Sequence, residues 1–290
     1  MITRISKKGY SPKQIIRILD RRYGLARLES LLAVNWLNPI ATLWLNFRSF
    51  PFSQAIKLPI YVYGRPRFYS LCGSMRIIGK VKSGMIKFNH CQIGAPNNLS
   101  LNSEICNQGD IIFYGPGLIG TGNKINVEGK LSIGANFKIT DMCNVGCYSK
   151  IEIGDQSWIV HRCQITDSDY HYIANFNDNT VKNSVQPIKI GKSCWIANST
   201  TIVGGAIIPD YTLVCSNSLI NKDYSHIPKN SLLGGIPAKL IATGYRRIDN
   251  SNINERVFKF YRSNPEKLYK LLPNENENTV SSILDNNYGK

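Results

Sequence analysis

From Ile93 onward a branched aliphatic residue returns at every sixth position: Ile93, Leu99, Ile105, Ile111. The phase then slips by two and resumes as Phe113, Ile119, Ile125, Leu131. It slips again to Ile133, Ile139, Val145, Ile151, and once more to Ile153, Ile159, Ile165. A run without slips follows: Ile190, Ile196, Ile202, Ile208, Val214, Ile220. Neither the helical period nor the two-residue period of a strand generates this pattern. A triangular coil does. Each hexad forms one flat side, three sides close a turn, and the aliphatic residue points into the prism. Four positions later stands a second inward residue, and it is small: Cys194, Thr200, Ala206, Thr212, Ser218. A narrow core would be overfilled by anything larger. Glycine often follows the aliphatic residue, as in Ile93-Gly94, Ile133-Gly134, Ile153-Gly154 and Ile190-Gly191, where it is expected to give the corner its wide φ/ψ range. The slips begin at 93, 113, 133 and 153, so the extra residues recur at one corner and stack.

The period breaks once. The corner expected after Ile153 falls on His171, within Ile165-Thr-Asp-Ser-Asp-Tyr-His171, and the pattern restarts as Ile188-Lys189-Ile190-Gly191. That restart matches Ile151-Glu152-Ile153-Gly154, so a loop of residues 170–187 is inserted into one turn. Long loops on rigid scaffolds carry function. This one opens on a side chain that works as a neutral base near pH 7. A base placed there can take the proton of an attacking alcohol or amine, which makes His171 the candidate general base. Asp167 or Asp169 is then placed to hold its imidazole.

With 43% apolar and 19% charged residues the chain reads as folded rather than disordered. A formal charge of +16 suits a phosphate-bearing partner such as a coenzyme, nucleotide sugar, nucleic acid or anionic membrane. Nucleic acid rests on charge alone and is not expected. Several of the eight cysteines occupy inward slots of the repeat, so free buried thiols and a reducing cytoplasm are expected. No cysteine–histidine spacing suits a metal, and the first residues lack the apolar core of a signal peptide. Residues 28–47 are strongly apolar but broken by Glu29, Asn35, Asn38 and Pro39. They read either as a packed or oligomer-contacting helix pair or as a peripheral membrane contact. Three regions are expected: a helix-rich segment over 1–72, the coil over 73–242, and over 243–290 a helix, Glu255–Leu272, capping the coil's open end before a polar tail.

The hexads, the loop and its flanks resemble the hexapeptide-repeat acyltransferases over residues 75–242. The resemblance implies a mainly β fold, a left-handed parallel β-helix assembled as a homotrimer. It also implies acetyl-CoA as co-substrate, with no tightly bound cofactor. In the galactoside, maltose and polysaccharide acetyltransferases a loop-opening histidine is the base, matched here by His171. The segment Pro187-Ile-Lys-Ile-Gly191-Lys-Ser-Cys-Trp195 carries over a tryptophan beside the acyl donor. Asn198 takes the position whose backbone N–H faces the thioester oxygen, and Gly204, Gly205 and Ser216 line the pantetheine arm. Asn221-Lys222-Asp223 resembles a terminal Thr-Lys-Asp that places Lys222 on a coenzyme phosphate, and Gly235-Ile-Pro237-Ala-Lys239 a Gly-Asn-Pro-Ala-Lys segment near the adenine. Ile236, Asn198 and Cys215-Ser-Asn217 depart from those patterns. Arg246 and Arg247 are further candidates for the coenzyme's 3′-phosphate.

Phe47-Arg-Ser-Phe-Pro-Phe, Thr140-Asp141 and Ile159-Val-His161-Arg162-Cys163 are similar to acetyltransferases of bacterial capsule and O-antigen gene clusters. This implies transfer to a sugar hydroxyl or amine in a surface polysaccharide. His161 and Arg162 are expected to face outward and line the acceptor cleft, or to form a simple surface pair. A zinc carbonic anhydrase of the same fold needs two histidines five residues apart, which His90, His161, His171 and His226 do not supply. A non-catalytic β-helix scaffold is the alternative.

Overall fold

The computed structural model describes residues 36–90 and 101–282. Ile93, Leu99, Cys91 and the first part of the 28–47 segment lie outside them. The hexads wind into a three-faced parallel β-helix. The first face holds nine strands, from Ile60–Val62 to Ala238–Thr243; the second holds seven, from Arg67–Leu71 to Leu219–Ile220; the third holds six, from Ser74–Ile77 to Ile207–Ile208. From Ile105 on, register follows the repeat: Ile139 pairs with Ile159, Ile159 with Ile196, and Ile196 with Val214. Before it, Phe113 pairs with Ile77 and Ile119 with Phe88, so Ile93 and Leu99 do not take the coil positions expected of them, and the interval between strands Ile86–Phe88 and Glu104–Asn107 exceeds the repeat. Every described aliphatic residue of the series is at most 4% exposed.

The small inward slots are closed as expected, and polarity has a purpose there. Thr200, Thr212 and Ser218 donate their hydroxyls to the carbonyls of Ala197, Pro209 and Cys215, each at 2.8 Å. Corner carbonyls that would lie buried without a donor are satisfied this way. Cys143, Cys147, Cys163 and Cys194 are free and buried, while Cys72, Cys106 and Cys215 are free and at least partly exposed.

The corner glycines have a different reason from the one expected. A Cβ on Gly154 would sit 2.5 Å from the backbone of Gly191 and Lys192, and one on Gly191 2.5 Å from the nitrogen of Asp210. Close stacking of successive coils excludes a side chain there. The left-handed backbone falls two residues later instead, on Asn136, Gln156 and Ser193, with φ of 56°, 59° and 52°.

The coil begins at Ile60, ahead of the boundary expected at 73. Helix α1, Pro39–Ser49, starts at an Asn38 cap whose side chain accepts the Ala41 N–H, with proline in the first turn. It packs on the first strand of each face. Its buried side carries Thr42, Leu45, Asn46 and Ser49. Asn46 donates to the Ile60 carbonyl at 2.7 Å and accepts the Ile60 N–H at 3.1 Å, which fixes the helix across the open end. Helix α2, Phe52–Ala55, follows, and Gln54 bonds both the N–H and the carbonyl of Ile77.

At the other end the strands Ser231–Gly235 and Ala238–Thr243 form an antiparallel hairpin, so the expected helical cap is replaced by a folded-back edge. The chain then returns along the coil, with Arg246 stacked on Tyr211 and Arg247 on Trp158. The expected helix near the C-terminus, α3, spans Ser251–Ser263 and ends well before Leu272, and a short helix, Glu277–Ser281, follows it. No described helix is long and apolar enough to cross a membrane.

Candidate active site

The loop leaves the corner between the second and third faces, after strand Gln164–Thr166, and Ile188 resumes by pairing with Ile151. Its root is anchored by Asp167, which is 0% exposed. One carboxylate oxygen accepts the Tyr148 N–H at 2.7 Å, and the other accepts those of Ser149 and Lys150 at 2.8 Å. Asp167 is therefore engaged with the corner backbone and is not the imidazole's partner. Tyr170, with φ +60°, packs edge-on against Tyr148, whose hydroxyl accepts from Asn126. The Asp169 N–H reaches the Ser184 carbonyl, and a two-stranded ribbon, Ala174–Asn175 with Thr180–Val181, forms the tip. His171 is exposed at the base of this arm, its N–H on the Asp169 carbonyl at 2.7 Å. The exposed Asp169 stays near His171 through the backbone alone.

Gly204 and Gly205 face the loop root: a Cβ on either would meet Gln186. Lys222 lies at this same corner, exposed, its ammonium 5.5 Å from the Tyr224 ring. Trp195, Asn198 and Ser216 lie elsewhere. Trp195 is 38% exposed on the first face, paired with Trp158. Asn198 and Ser216 are exposed at the corner between the first and second faces. There the ladder bonds the N–H groups of Ala197, Ser199, Cys215 and Asn217 and skips Asn198 and Ser216. Two stacked N–H groups are thus left outside the ladder on an exposed edge. Pro237 and Lys239 flank the closing hairpin turn, where the Gly235 N–H meets the Ser218 hydroxyl.

The sequence-derived residues therefore form two half-sites. One holds His171, Asp169, Gly204, Gly205 and Lys222; the other holds Trp195, Asn198, Ser216, Pro237 and Lys239. A full face, about 20 Å of extended strand, separates them. An open groove of about 490 Å³ lined by Lys130, Glu152 and Lys189 lies on the third face, away from the Asn198 corner.

His161 and Arg162 sit directly beneath Asn198, where the His161 carbonyl accepts the Ser199 N–H. His161 does not form the outward surface pair with Arg162. Its side chain is 22% exposed, with Nε2 3.6 Å from an oxygen of Asp141, itself 3% exposed. The other Asp141 oxygen accepts from the N–H and hydroxyl of Thr121. Thr121 was missed in the sequence and Asp141 was quoted there without a role, although positions 121, 141 and 161 share one phase of the repeat. Arg162 is exposed, with φ +60°.

Arg246 and Arg247, expected as phosphate ligands, have their guanidinium groups bonded within the chain instead. Arg246 bonds Asn230 and Glu277, and Arg247 bonds Asp249 and the Gln156 carbonyl. Arg247 and Lys138 lie over Trp158 at 4.1 and 3.8 Å from its ring centroid. Burial, then the neighbouring Arg247 charge, pushes the Lys138 ammonium below its ordinary value.

No family model matches the chain. Among curated proteins it is 32% identical over 169 residues to an uncharacterized 24.8 kDa protein of the cps region of Klebsiella pneumoniae, covering 54% of this chain and 72% of that one. It is 24% identical over 184 residues to a protein named for lipopolysaccharide-biosynthesis O-acetyl transfer, WbbJ of Escherichia coli, covering 60% of this chain and 89% of that one. Among solved structures it is similar to the polySia-specific acetyltransferase NeuO, with 17% identity, a TM-score of 0.34, and coverage of 68% of this chain and 92% of that one.

Proposed function

Because this chain belongs to the hexapeptide-repeat acyltransferases, left-handed β-helix proteins, in the group found with capsule and O-antigen genes, we propose that it moves an acetyl group from acetyl-CoA to a sugar hydroxyl or amine of a surface polysaccharide. The observation that carries this reading is the loop inserted between Ile165 and Ile188, with His171 exposed at its base on a rigid corner. The His171 imidazole takes the acceptor's proton as its oxygen or nitrogen attacks the thioester carbonyl. The tetrahedral oxyanion is met by the Asn198 N–H, which the ladder leaves unused. Collapse expels the coenzyme thiolate, and the imidazolium returns the proton to sulfur. Asp169 orients and stabilises the charged imidazole. Trp195 and Ser216 flank the pantetheine arm, with Lys222, Pro237 and Lys239 toward the phosphates and adenine, and His161 with Arg162 lies on the acceptor side.

The separation of the half-sites supports a homotrimer in which the loop of one copy meets the Trp195 corner of the next. The reading places the enzyme in the cytoplasm beside the membrane that carries lipid-linked glycans. It is tested by acetyl-CoA turnover against a panel of nucleotide- and lipid-linked sugars. His171→Ala should lower kcat ~10²–10⁴-fold and leave the KM for acetyl-CoA in place. Unchanged turnover in that variant overturns the mechanism.

A further inference from the structure

The end of the coil closed by α1 violates the rule for solenoid ends. Terminal caps of soluble repeat proteins present a polar outer face. Here α1 buries Thr42, Leu45, Asn46 and Ser49 against the coil, while its other side exposes Ile40 at 79%, Trp44 at 59%, and Leu43 and Phe47 at 48% each. The patch continues onto α2 and its C-cap: Phe52 and Ile56 are 73% and 54% exposed, and the Phe47 and Phe52 rings lie 6.2 Å apart. Contiguous exposed apolar surface of this kind marks an interaction site.

Charge identifies the occupant. Sixteen of the 35 basic residues but two of the 19 acidic residues lie in positions 1–103, and positions 30–103 contain no Asp or Glu. Eight of these basic residues lie among the described positions 36–90; Arg67 pairs with Glu104, and the others have no Asp or Glu in their own segment. Arg48, Lys57 and Arg65 are exposed around it. Beside α2, where the Gly84 N–H meets the Leu58 carbonyl, opens a groove of about 700 Å³ lined by Lys80, Lys82 and Lys87. Aromatic and branched side chains above a basic rim are the pattern of a helix lying in the headgroup region of an anionic bilayer.

We propose that this end of the coil docks on an anionic phospholipid membrane, with Ile40, Trp44 and Phe52 at the headgroup boundary and the lysines on lipid phosphates. It rests on the acyltransferase reading for its consequence alone: the loop belongs to the fifth coil, four rungs of about 4.8 Å above the first. With the ~10 Å thickness of α1 beneath the first coil, the acetylated position would then lie about 30 Å above the headgroup boundary, which selects an acceptor presented several sugars away from a lipid anchor.

The full-length protein is sedimented with phosphatidylcholine vesicles with and without phosphatidylglycerol, and Trp44 emission is followed with Trp44→Phe as control. The wild type should bind the anionic vesicles, weaken with salt and shift its emission to the blue. Replacing Lys57, Lys80 and Lys82 by Gln should weaken binding about 100-fold, and Ile40→Ser with Phe52→Ser should abolish the emission shift. Oligomeric mass by light scattering and turnover on a water-soluble glycan should not change in either set. A wild type that ignores anionic vesicles overturns the proposal. So does a serine variant that binds vesicles normally but changes oligomeric mass, because the patch would then cover a second copy. Vesicle binding needs no turnover, so absence of acyl transfer to any acceptor would sink the functional reading and leave this result standing.

Discussion

Asp167 and Asp169 look equivalent in the sequence, two carboxylates shortly before the candidate base. Their surroundings separate them. Asp167 points into the corner and accepts three backbone N–H groups, while Asp169 is exposed. Removing a buried charged acceptor leaves its donors unpaired. Asp167→Ala should therefore cost about 3 kcal/mol of stability, read as a lowered denaturant midpoint. Asp169→Ala should leave the midpoint in place and lower kcat. Equal midpoints for the two variants would contradict the assignment. His161 shows the same dependence on neighbours: its partner Asp141 sits one coil away at the same corner, near in the lattice and distant along the chain.

At the scale of an element, the loop is independent of the coil that carries it. Ile151 still pairs with Ile188 and Ile153 with Ile190 across the insertion. The Ser168–Val185 bridge and the bond from Asp169 to Ser184 close its neck. Joining Asp169 to Ser184 through Asn-Gly, in place of residues 170–183, fits a two-residue hairpin turn. That variant should melt within about 1 kcal/mol of the parent, keep its circular dichroism, and turn over no faster than His171→Ala. A large loss of stability would show that the arm supports the coil. The loop's position was legible because it interrupts a strict period. Its internal ribbon was not, since Ala174–Asn175 and Thr180–Val181 are exposed on both sides and show no pattern of burial.

For the whole molecule, the proposed trimer would make activity a property of neighbouring copies. Co-expression of His171→Ala with Trp195→Ala should restore turnover that neither has alone, with roughly a quarter of the sites in a randomly mixed ring pairing an intact loop with an intact donor edge. Purified mixed oligomers are the sample to assay. Failure to recover activity in verified mixed trimers would place the complete site within one chain.

From Ile105 on, the hexad series alone determined the prism, its small polar slots and the loop after Ile165, because a residue's phase in a strict repeat decides whether it faces inward. Three matters were left to the tertiary structure. The stacking distance between coils, rather than backbone freedom, explains Gly154 and Gly191. The corners of the prism put His171 and Asn198 a full face apart, although both flank one coil in the sequence. The outer side of α1 is left exposed among the described residues. The physical reason is common to all three: phase specifies the direction of a side chain relative to its own backbone, whereas contact depends on what other segments bring alongside it.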